Sequence, residues 1–183
     1  MKRLLIGLLL FSTLFFMPGC SISPKQPALH DFGLPVSTPT DKTPPTVTVD
    51  APTWLWDNRI RYRQLYASST RVGFYALDLW IAPPPELFEQ LLIAYGNTRN
   101  YSLVIRLQDF EQQFETPNRA RVVLRFSVDA YSDNNHQKVG TQAFYLERPS
   151  ATPDATGAVN GFATLTRQAT DKIQSWLAGL PDK

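Results

Sequence analysis

The stretch "ARVVLRFSVDAY", residues 120–131, alternates apolar and polar side chains along its length. Successive side chains of a β-strand point to opposite faces of a sheet, so this alternation predicts a strand with one buried and one solvated face. The buried face would hold Ala120, Val122, Leu124, Phe126, Val128 and Ala130. Arg121, Arg125 and Asp129 would lie on the other face. A sheet built around this strand needs covering on one side only.

Two neighbouring segments predict the strands that pair with this one. Residues 101–110, "YSLVIRLQDF", alternate in the same way, and their inward positions would be Leu103, Ile105 and Leu107. Residues 138–147, "KVGTQAFYLE", return on the other side. The intervening residues 111–118 and 132–137 are rich in turn formers and predict loops. The three strands would form an antiparallel meander.

Four segments nearer the N-terminus also have strand composition. They are residues 28–35 ("ALHDFGLP"), 46–52 ("TVTVDAP"), 59–66 ("RIRYRQLY") and 74–81 ("FYALDLWI"). The first two lie in proline-rich sequence, and we expect both to dock on the sheet, with residues 36–45 as a mobile connection. In the third, alternation sets Arg59, Arg61 and Arg63 on one face.

Two other segments have the helical period. In "PPPELFEQLLIAYGN", residues 83–97, one apolar face would hold Leu87, Phe88, Leu91, Leu92 and Tyr95, and Gly96 and Asn97 would end the helix. Asp154 can cap a second helix whose apolar stripe would be Phe162, Leu165, Ala169, Ile173, Trp176 and Leu177. Gly157 and Gly161 would fray its first turns.

These elements predict an α+β fold. Each helix has one apolar stripe, and the sheet must bury one face. The simplest closure is a two-layer sandwich, a mostly antiparallel sheet with two amphipathic helices packed on one face.

The N-terminal residues have the three-part layout of a secretory signal. Lys2 and Arg3 precede an apolar run of about 14 residues, shorter than the roughly 20 that a membrane-spanning helix needs. The run ends in "MPGC", which resembles the lipobox of bacterial lipoproteins, whose cysteine receives a diacylglyceryl thioether and an N-acyl chain. We therefore expect a lipoprotein-type signal peptide at residues 1–19, lipid attachment at Cys20, a proline-rich tether at residues 20–45 and a single domain at residues 46–180.

Charge and cysteine content exclude several classes of function. Removing Lys2 and Arg3 from the 18 basic residues leaves 16, against 16 acidic residues, so the mature chain is neutral. It lacks the basic excess typical of nucleic-acid-binding proteins, and we expect no nucleic-acid partner. Cys20 is the only cysteine, so neither a disulfide nor a thiolate metal site is expected.

Catalytic patterns are also missing from the sequence. His30 and His136 are not spaced as metal ligands, and no serine-nucleophile or phosphate-binding motif occurs. Asp109, Glu111 and Glu115 could be read as catalytic carboxylates, but their place at a predicted loop favours a solvated hairpin end. We expect no enzymatic activity, no metal and no cofactor apart from the covalent lipid on Cys20.

Several patterns, taken in order, resemble the ABC-type transport auxiliary lipoproteins of the PqiC/YmbA type, which accompany MCE-domain lipid transport systems. The resemblance covers most of the mature chain and begins with the cysteine motif. It continues through the spaced residues Pro52, Leu55, Ile60, Tyr62 and Arg63. Three longer stretches complete it, "LWIAPPPELFEQLL" (79–92), "YSLVIRLQDFEQQF" (101–114) and "AVNGFATLTRQATDKIQSWL" (158–177).

The resemblance implies a non-enzymatic auxiliary subunit of an ABC/MCE-type intermembrane lipid transport system. It would be lipid-anchored in the outer membrane of a Gram-negative bacterium, face the periplasm, and dock on a periplasmic MCE-domain protein and its ABC permease. Ser21 fits this location, because aspartate after the cysteine would mark retention at the inner membrane. A ring-forming homo-oligomer would also agree with the resemblance. The alternative is an envelope lipoprotein that activates or tethers a cell-wall synthase.

Two aromatic and three basic residues are the candidates for contact with a partner or with lipid. Trp54 and Trp56 flank Leu55 just before the strand that carries Arg59, Arg61 and Arg63. One interpretation is structural, with a tryptophan plugging the core and the arginines solvated. The other is a recognition surface, because aromatics and arginine are enriched where interfaces concentrate their energy and arginine suits phosphate.

Overall fold

A computed structural model of the protein describes residues 25–33, 46–95, 98 and 101–180. Four predicted features lie outside these residues: the signal peptide, the lipid attachment at Cys20, the mobile connection at residues 36–45, and the helix stop at Gly96 and Asn97. Within the described part of the chain, no helix is both long enough and apolar enough to span a bilayer.

The meander predicted from the opening stretch is present. β5 (Tyr101–Thr116) pairs antiparallel with β6 (Arg119–Ser132), and β6 pairs antiparallel with β7 (Lys138–Pro149). All six β6 residues predicted to face inward are 5% exposed or less, which confirms them as the centre of the core.

Four shorter strands complete a seven-stranded mixed sheet among the described residues. β2 (Val47–Asp50) and β3 (Arg59–Gln64) both pair in parallel with β5, one along each half. β4 (Val72–Trp80) runs antiparallel to β3, and β1 (Ala28–His30) pairs in parallel with β4 at the edge. The two proline-rich segments therefore dock on the sheet as predicted.

Both helices cover the same face of the sheet, which we call the inner face. In α1 (Pro84–Tyr95), Phe88 meets Phe126 of β6 with ring centroids 5.5 Å apart. In α2 (Ala155–Ala178), Phe162 stacks on Phe110 of β5 at 3.9 Å. The predicted α+β two-layer fold is confirmed. Asp154 caps α2 as predicted, accepting a hydrogen bond from the Gly157 amide at 2.8 Å.

The N-terminal segment is fixed to this core by an aromatic side chain. Phe32, two residues after β1, is 1% exposed. Its ring centroid lies 5.2 Å from that of Trp80 and 5.6 Å from that of Phe110. The chain is thus attached to the domain from Ala28 onward, upstream of the predicted domain start at residue 46.

The loop predicted at residues 111–118 is wrong, because β5 continues to Thr116. The register shifts between Leu107 and Asp109, which indicates a β-bulge at Gln108. Because of this extra residue, the side chains on the inner face have odd numbers before the bulge and even numbers after it. Gln112 is therefore on the inner face and fully buried. It accepts a hydrogen bond from the Tyr75 hydroxyl at 2.6 Å and donates to Ser150 at 3.0 Å.

The fraying predicted for the start of α2 is also wrong. Gly157 and Gly161 are buried at points where the helix approaches its neighbours closely. A Cβ on Gly157 would lie 1.9 Å from the carbonyl oxygen of Thr152, and one on Gly161 would lie 2.9 Å from a methyl group of Val122. These glycines therefore allow close packing.

Tyr95 was predicted to lie on the apolar face of the first helix. This prediction is wrong, because Tyr95 is 39% exposed at the end of α1.

Candidate interaction surface

The face of the sheet opposite the helices, the outer face, has two regions of different chemistry. Over β5, β6 and β7, and at Arg63 near the end of β3, it carries paired charges. We call this the paired region, and it consists of Arg63, Glu111, Asp109, Arg125, Glu115, Arg119, Arg106, Asp129 and Lys138. Over β1, β4 and β3 it presents aromatic, aliphatic and arginine side chains. We call this the Trp54–Arg61 patch, and it consists of Leu29, Leu79, Arg59, Phe74, Arg61 and Trp54.

The paired region begins at Glu111, which is only 7% exposed. Its carboxylate accepts two hydrogen bonds from the Arg63 guanidinium, at 2.8 Å and 3.0 Å, which raise the pKa of Arg63. The other two acids of the predicted cluster also face arginine: Asp109 lies 2.6 Å from Arg125, and Glu115 lies 2.6 Å from Arg119. The cluster is therefore a set of ion pairs on strand β5, and the predicted solvated hairpin end is wrong for the buried Glu111.

Asp129 is the most buried carboxylate of the paired region, at 1% exposure. It accepts hydrogen bonds from Lys138 at 2.7 Å, Thr141 at 2.6 Å and Arg106 at 2.6 Å. These bonds, those from Lys138 and Thr141 first, hold the pKa of Asp129 well below its ordinary value despite burial. The group is ionised at neutral pH and its charge is neutralised locally.

The two tryptophans lie at the mouth of β3 in a 3-10 turn (Thr53–Leu55) and at the residue after it. Neither plugs the core: Trp54 is 45% and Trp56 is 44% exposed, while Leu55 between them is 1% exposed. The structural interpretation is wrong for both rings, because the 3-10 turn directs Leu55 inward. Trp56 is fixed by an indole N–H that donates to the carbonyl of Ala51 at 3.1 Å.

Arg61 lies between aromatic rings on the outer face. Its guanidinium carbon is 4.8 Å from the ring centroid of Trp54 and 5.2 Å from that of Phe74, within cation–π range. Its Nε is buried without a hydrogen-bond partner, and no ion pair involves Arg61 among the described side chains. Burial lowers the pKa of Arg61 from its ordinary value, although the group stays charged.

Arg59 extends the patch toward the edge of the sheet. Its guanidinium carbon lies 3.7 Å from the ring centroid of Phe74, and Asp57 accepts a hydrogen bond from it at 2.7 Å. Arg59 is opposite Leu79 in the β3–β4 pair, and Leu79 is opposite Leu29 in the β1–β4 pair. Residues directly opposite share a face, so the three side chains form a row across three strands.

The structure brings together part of the predicted contact set. Arg59 and Arg61 meet at Phe74, and Arg61 also contacts Trp54. Trp56 follows Trp54 in the same turn. Arg63 belongs to the paired region instead. Phe74, Leu29 and Leu79 were not predicted as contact residues, because only strand register places them beside the arginines. Phe74 could have been suspected as the first aromatic of the predicted strand at 74–81.

A lipid cavity would have to lie between the helices and the sheet. An apolar crevice lies there, lined by Val47, Leu92, Thr98, Leu103, Thr170, Ile173, Gln174 and Leu177. Its volume is about 10 Å³, close to the space of one water molecule, whereas ligand pockets start at about 300 Å³. The helix–sheet interface is filled at this point.

The histidines and acids of the described residues offer no metal site. No group of three or more His, Cys, Asp or Glu side chains in this part of the chain is arranged to hold an ion. His30, in the segment predicted as a tether, is part of β1 and half-buried, with Nε2 2.9 Å from Asp78. His136 lies in the β6–β7 turn, where its φ is 54°.

Comparison with known proteins identifies the fold. The sequence matches no protein-family model and no curated protein. A crystal structure of a Xanthomonas campestris protein of the DUF330 family aligns with a TM-score of 0.66 and 16% identity, covering 81% of this chain and 93% of that chain. The crystal structure of an uncharacterized protein aligns with a TM-score of 0.65 and 15% identity, covering 83% of this chain and 99% of that one. At such identities the similarity shows a shared fold alone.

A further structure belongs to lipoprotein GNA1162 from Neisseria meningitidis. It aligns with a TM-score of 0.26 and 11% identity, over 48% of this chain and 56% of that chain. A score this low supports no structural argument.

Proposed function

We propose that the protein is a non-enzymatic lipoprotein of the outer membrane that serves as an auxiliary subunit of an ABC/MCE-type intermembrane lipid transport system. Its domain would face the periplasm and dock on an MCE-domain protein. The observation that carries the proposal is the short link between the cysteine motif and the sheet. Cys20 precedes Ala28, the first residue of β1, by eight residues, which span at most about 28 Å.

Such a link holds a folded domain against a membrane surface. Acyl chains on Cys20 would anchor the domain stably, because two chains already suffice for lasting membrane attachment. The transport role rests on the sequence resemblance. Its three long stretches lie in β4 and α1, in β5, and in α2, so they all contribute to one domain.

The first test addresses the anchor. Cells that express the full chain, or the Cys20→Ala variant, are grown with an alkyne fatty acid, and the protein is labelled and fractionated. We expect the native chain to carry label in the outer-membrane fraction and the variant to carry none. A variant that still labels and still fractionates with the outer membrane would contradict the lipoprotein assignment.

The second test addresses the partner. Acylated protein is crosslinked in intact cells and purified from membranes, and an unrelated lipoprotein with the same anchor serves as the control. We expect an MCE-domain protein and its ABC permease to be recovered only with this protein. Recovery of a cell-wall synthase in their place would replace the transport role with the alternative function.

A further inference from the structure

We propose that the Trp54–Arg61 patch contacts the phospholipid surface of the membrane that holds the anchor. This inference rests on the lipid attachment at Cys20 and adds to it the face of the domain that meets the bilayer. It is carried by the position of the patch, by its side chains and by its charge.

The patch lies where the anchored chain enters the domain. Leu29, the second residue of β1, belongs to the patch and follows Cys20 by nine residues. Neighbouring strands are about 4.8 Å apart, so Arg59, two strands away in the same row, lies about 10 Å from Leu29. The link spans at most about 28 Å, so the start of β1, next to Leu29 of the patch, stays within that distance of the anchored cysteine.

The side chains of the patch suit the boundary between headgroups and acyl chains. Leu29 is 59% exposed, and the neighbouring Ile81, whose amide donates to the carbonyl of His30, is 61% exposed. The half-exposed Trp54 has an apolar ring with a polar N–H, a combination enriched at membrane interfaces. The patch thus exposes aliphatic and indole groups of the kind that suit this boundary.

The charge of the patch complements a phosphate. Three arginines on β3 face two carboxylates: Arg59 binds Asp57 and Arg63 binds Glu111, whereas Arg61 forms an ion pair with neither, although both attract it from a distance. Arg61 therefore supplies an excess positive charge whose guanidinium can donate to a phosphate oxygen. At the nearby edge, Asp78 is bound to His30. Lys25 is the only charged residue between Cys20 and β1, and its charge is also positive.

Tryptophan quenching by brominated lipid tests this contact. The full acylated protein is reconstituted in vesicles of phosphatidylethanolamine and phosphatidylglycerol whose acyl chains carry bromine near the headgroup. We expect strong quenching of the native protein and loss of most of that quenching in the Trp54→Phe/Trp56→Phe variant. Trp176→Phe is the matched control, because Trp176 lies in α2 on the other side of the sheet, and it should keep the quenching.

A second pair of variants keeps all the tryptophans. Leu29→Glu places a carboxylate in the patch and should reduce quenching, whereas Ile93→Glu, at an exposed position of α1, should leave it unchanged. Acylation of Cys20 is verified by mass spectrometry in each sample. Acylated protein without quenching of Trp54 and Trp56 overturns the proposed orientation but leaves the anchor intact. Unacylated Cys20 overturns both.

One outcome would show that the patch binds a protein and not lipid. If bromolipid leaves Trp54 and Trp56 unquenched while an added MCE-domain protein changes their emission, the patch is a protein interface and the lipid contact is wrong. Recovery of the MCE-domain protein with the Leu29→Glu variant is measured in parallel, so that the membrane contact and the transport role are judged separately.

Discussion

The paired region and the Trp54–Arg61 patch occupy one face of one sheet, yet they treat charge differently. In the paired region the buried carboxylates of Glu111 and Asp129 are each bound to cations. In the patch, Arg61 is partly buried and forms no ion pair among the described side chains, and the carboxylates of Asp57 and Glu111 attract it only from a distance. Burying a charge without a partner costs stability, so folding alone explains the ion pairs of the paired region. The patch holds a charge between the rings of Trp54 and Phe74 without an ion pair, and a ligand with negative charge would pair with it.

Removal of Glu111 should have the largest effect on stability and tests the difference between the two regions most directly. In Glu111→Ala, the half-buried Arg63 guanidinium loses its counter-charge. We expect the free energy of unfolding, measured by denaturant titration, to fall by about 2 to 3 kcal/mol, less than for a fully buried pair. The control is Asp57→Ala, which breaks the exposed pair with Arg59 and should cost under about 1 kcal/mol. Equal losses would mean that the two regions do not differ energetically.

Substitution of Asp129 should have the next largest effect on the free energy of unfolding, and this effect should depend on pH. Asp129→Asn weakens three hydrogen bonds to a carboxylate, and we expect a loss of about 1 to 3 kcal/mol at neutral pH. The pKa of Asp129 is lowered in the folded protein, so its contribution is present above the unfolded pKa of about 3.9 and is lost as pH falls through the folded value. The difference in the free energy of unfolding between the native protein and the variant should therefore disappear at acid pH. A gap independent of pH would contradict the ionised state.

Within the patch, Trp54→Ala should have a smaller effect on stability. The ring is half-exposed, and its cation–π contact with Arg61 is worth about 0.5 to 1 kcal/mol at such a site. We expect a loss of no more than about 1 kcal/mol in thermal unfolding, and almost none in Trp54→Phe, which keeps a ring. A loss as large as that of Glu111→Ala would show that Trp54 is structural, and would remove the contrast.

The smallest effect on stability is expected at Arg61. Arg61→Met keeps an unbranched side chain between the rings and removes a guanidinium whose pKa is lowered by burial. The free energy of unfolding should change by less than about 0.5 kcal/mol, because the loss of the cation–π contacts with Trp54 and Phe74 offsets the removal of a buried donor without a partner. Arg63→Met is the control and should be destabilising. A clear loss in Arg61→Met would show that Arg61 serves folding rather than recognition.

The elements that bury a single face could be predicted from the sequence. In β6 the apolar side chains recur at every second residue, and in α2 they recur at three- and four-residue steps, because each element packs on one side only. Asp154 was predictable as the cap of α2 for a local reason, since its side chain binds an amide three residues later.

The errors occurred where distant parts of the chain decide the structure. The second half of β5 looks like a polar loop, because the bulge at Gln108 changes the period and Gln112 is buried with partners from other elements. The aromatic and basic candidates were identified by composition. Their neighbours Leu29 and Phe74 follow only from the pairing of the strands, which includes a shift of register between β3 and β4.

On a lipid anchor at Cys20, the pairing of β1 would also set how far the domain could travel from the membrane. With β1 paired and Phe32 in the core, the eight residues from Cys20 to Ala28 could span at most about 28 Å. If the three-residue β1 and the Phe32 ring were pulled out, the span would run to Val47 and reach at most about 95 Å. Release of this short strand would thus more than triple the working radius of the domain.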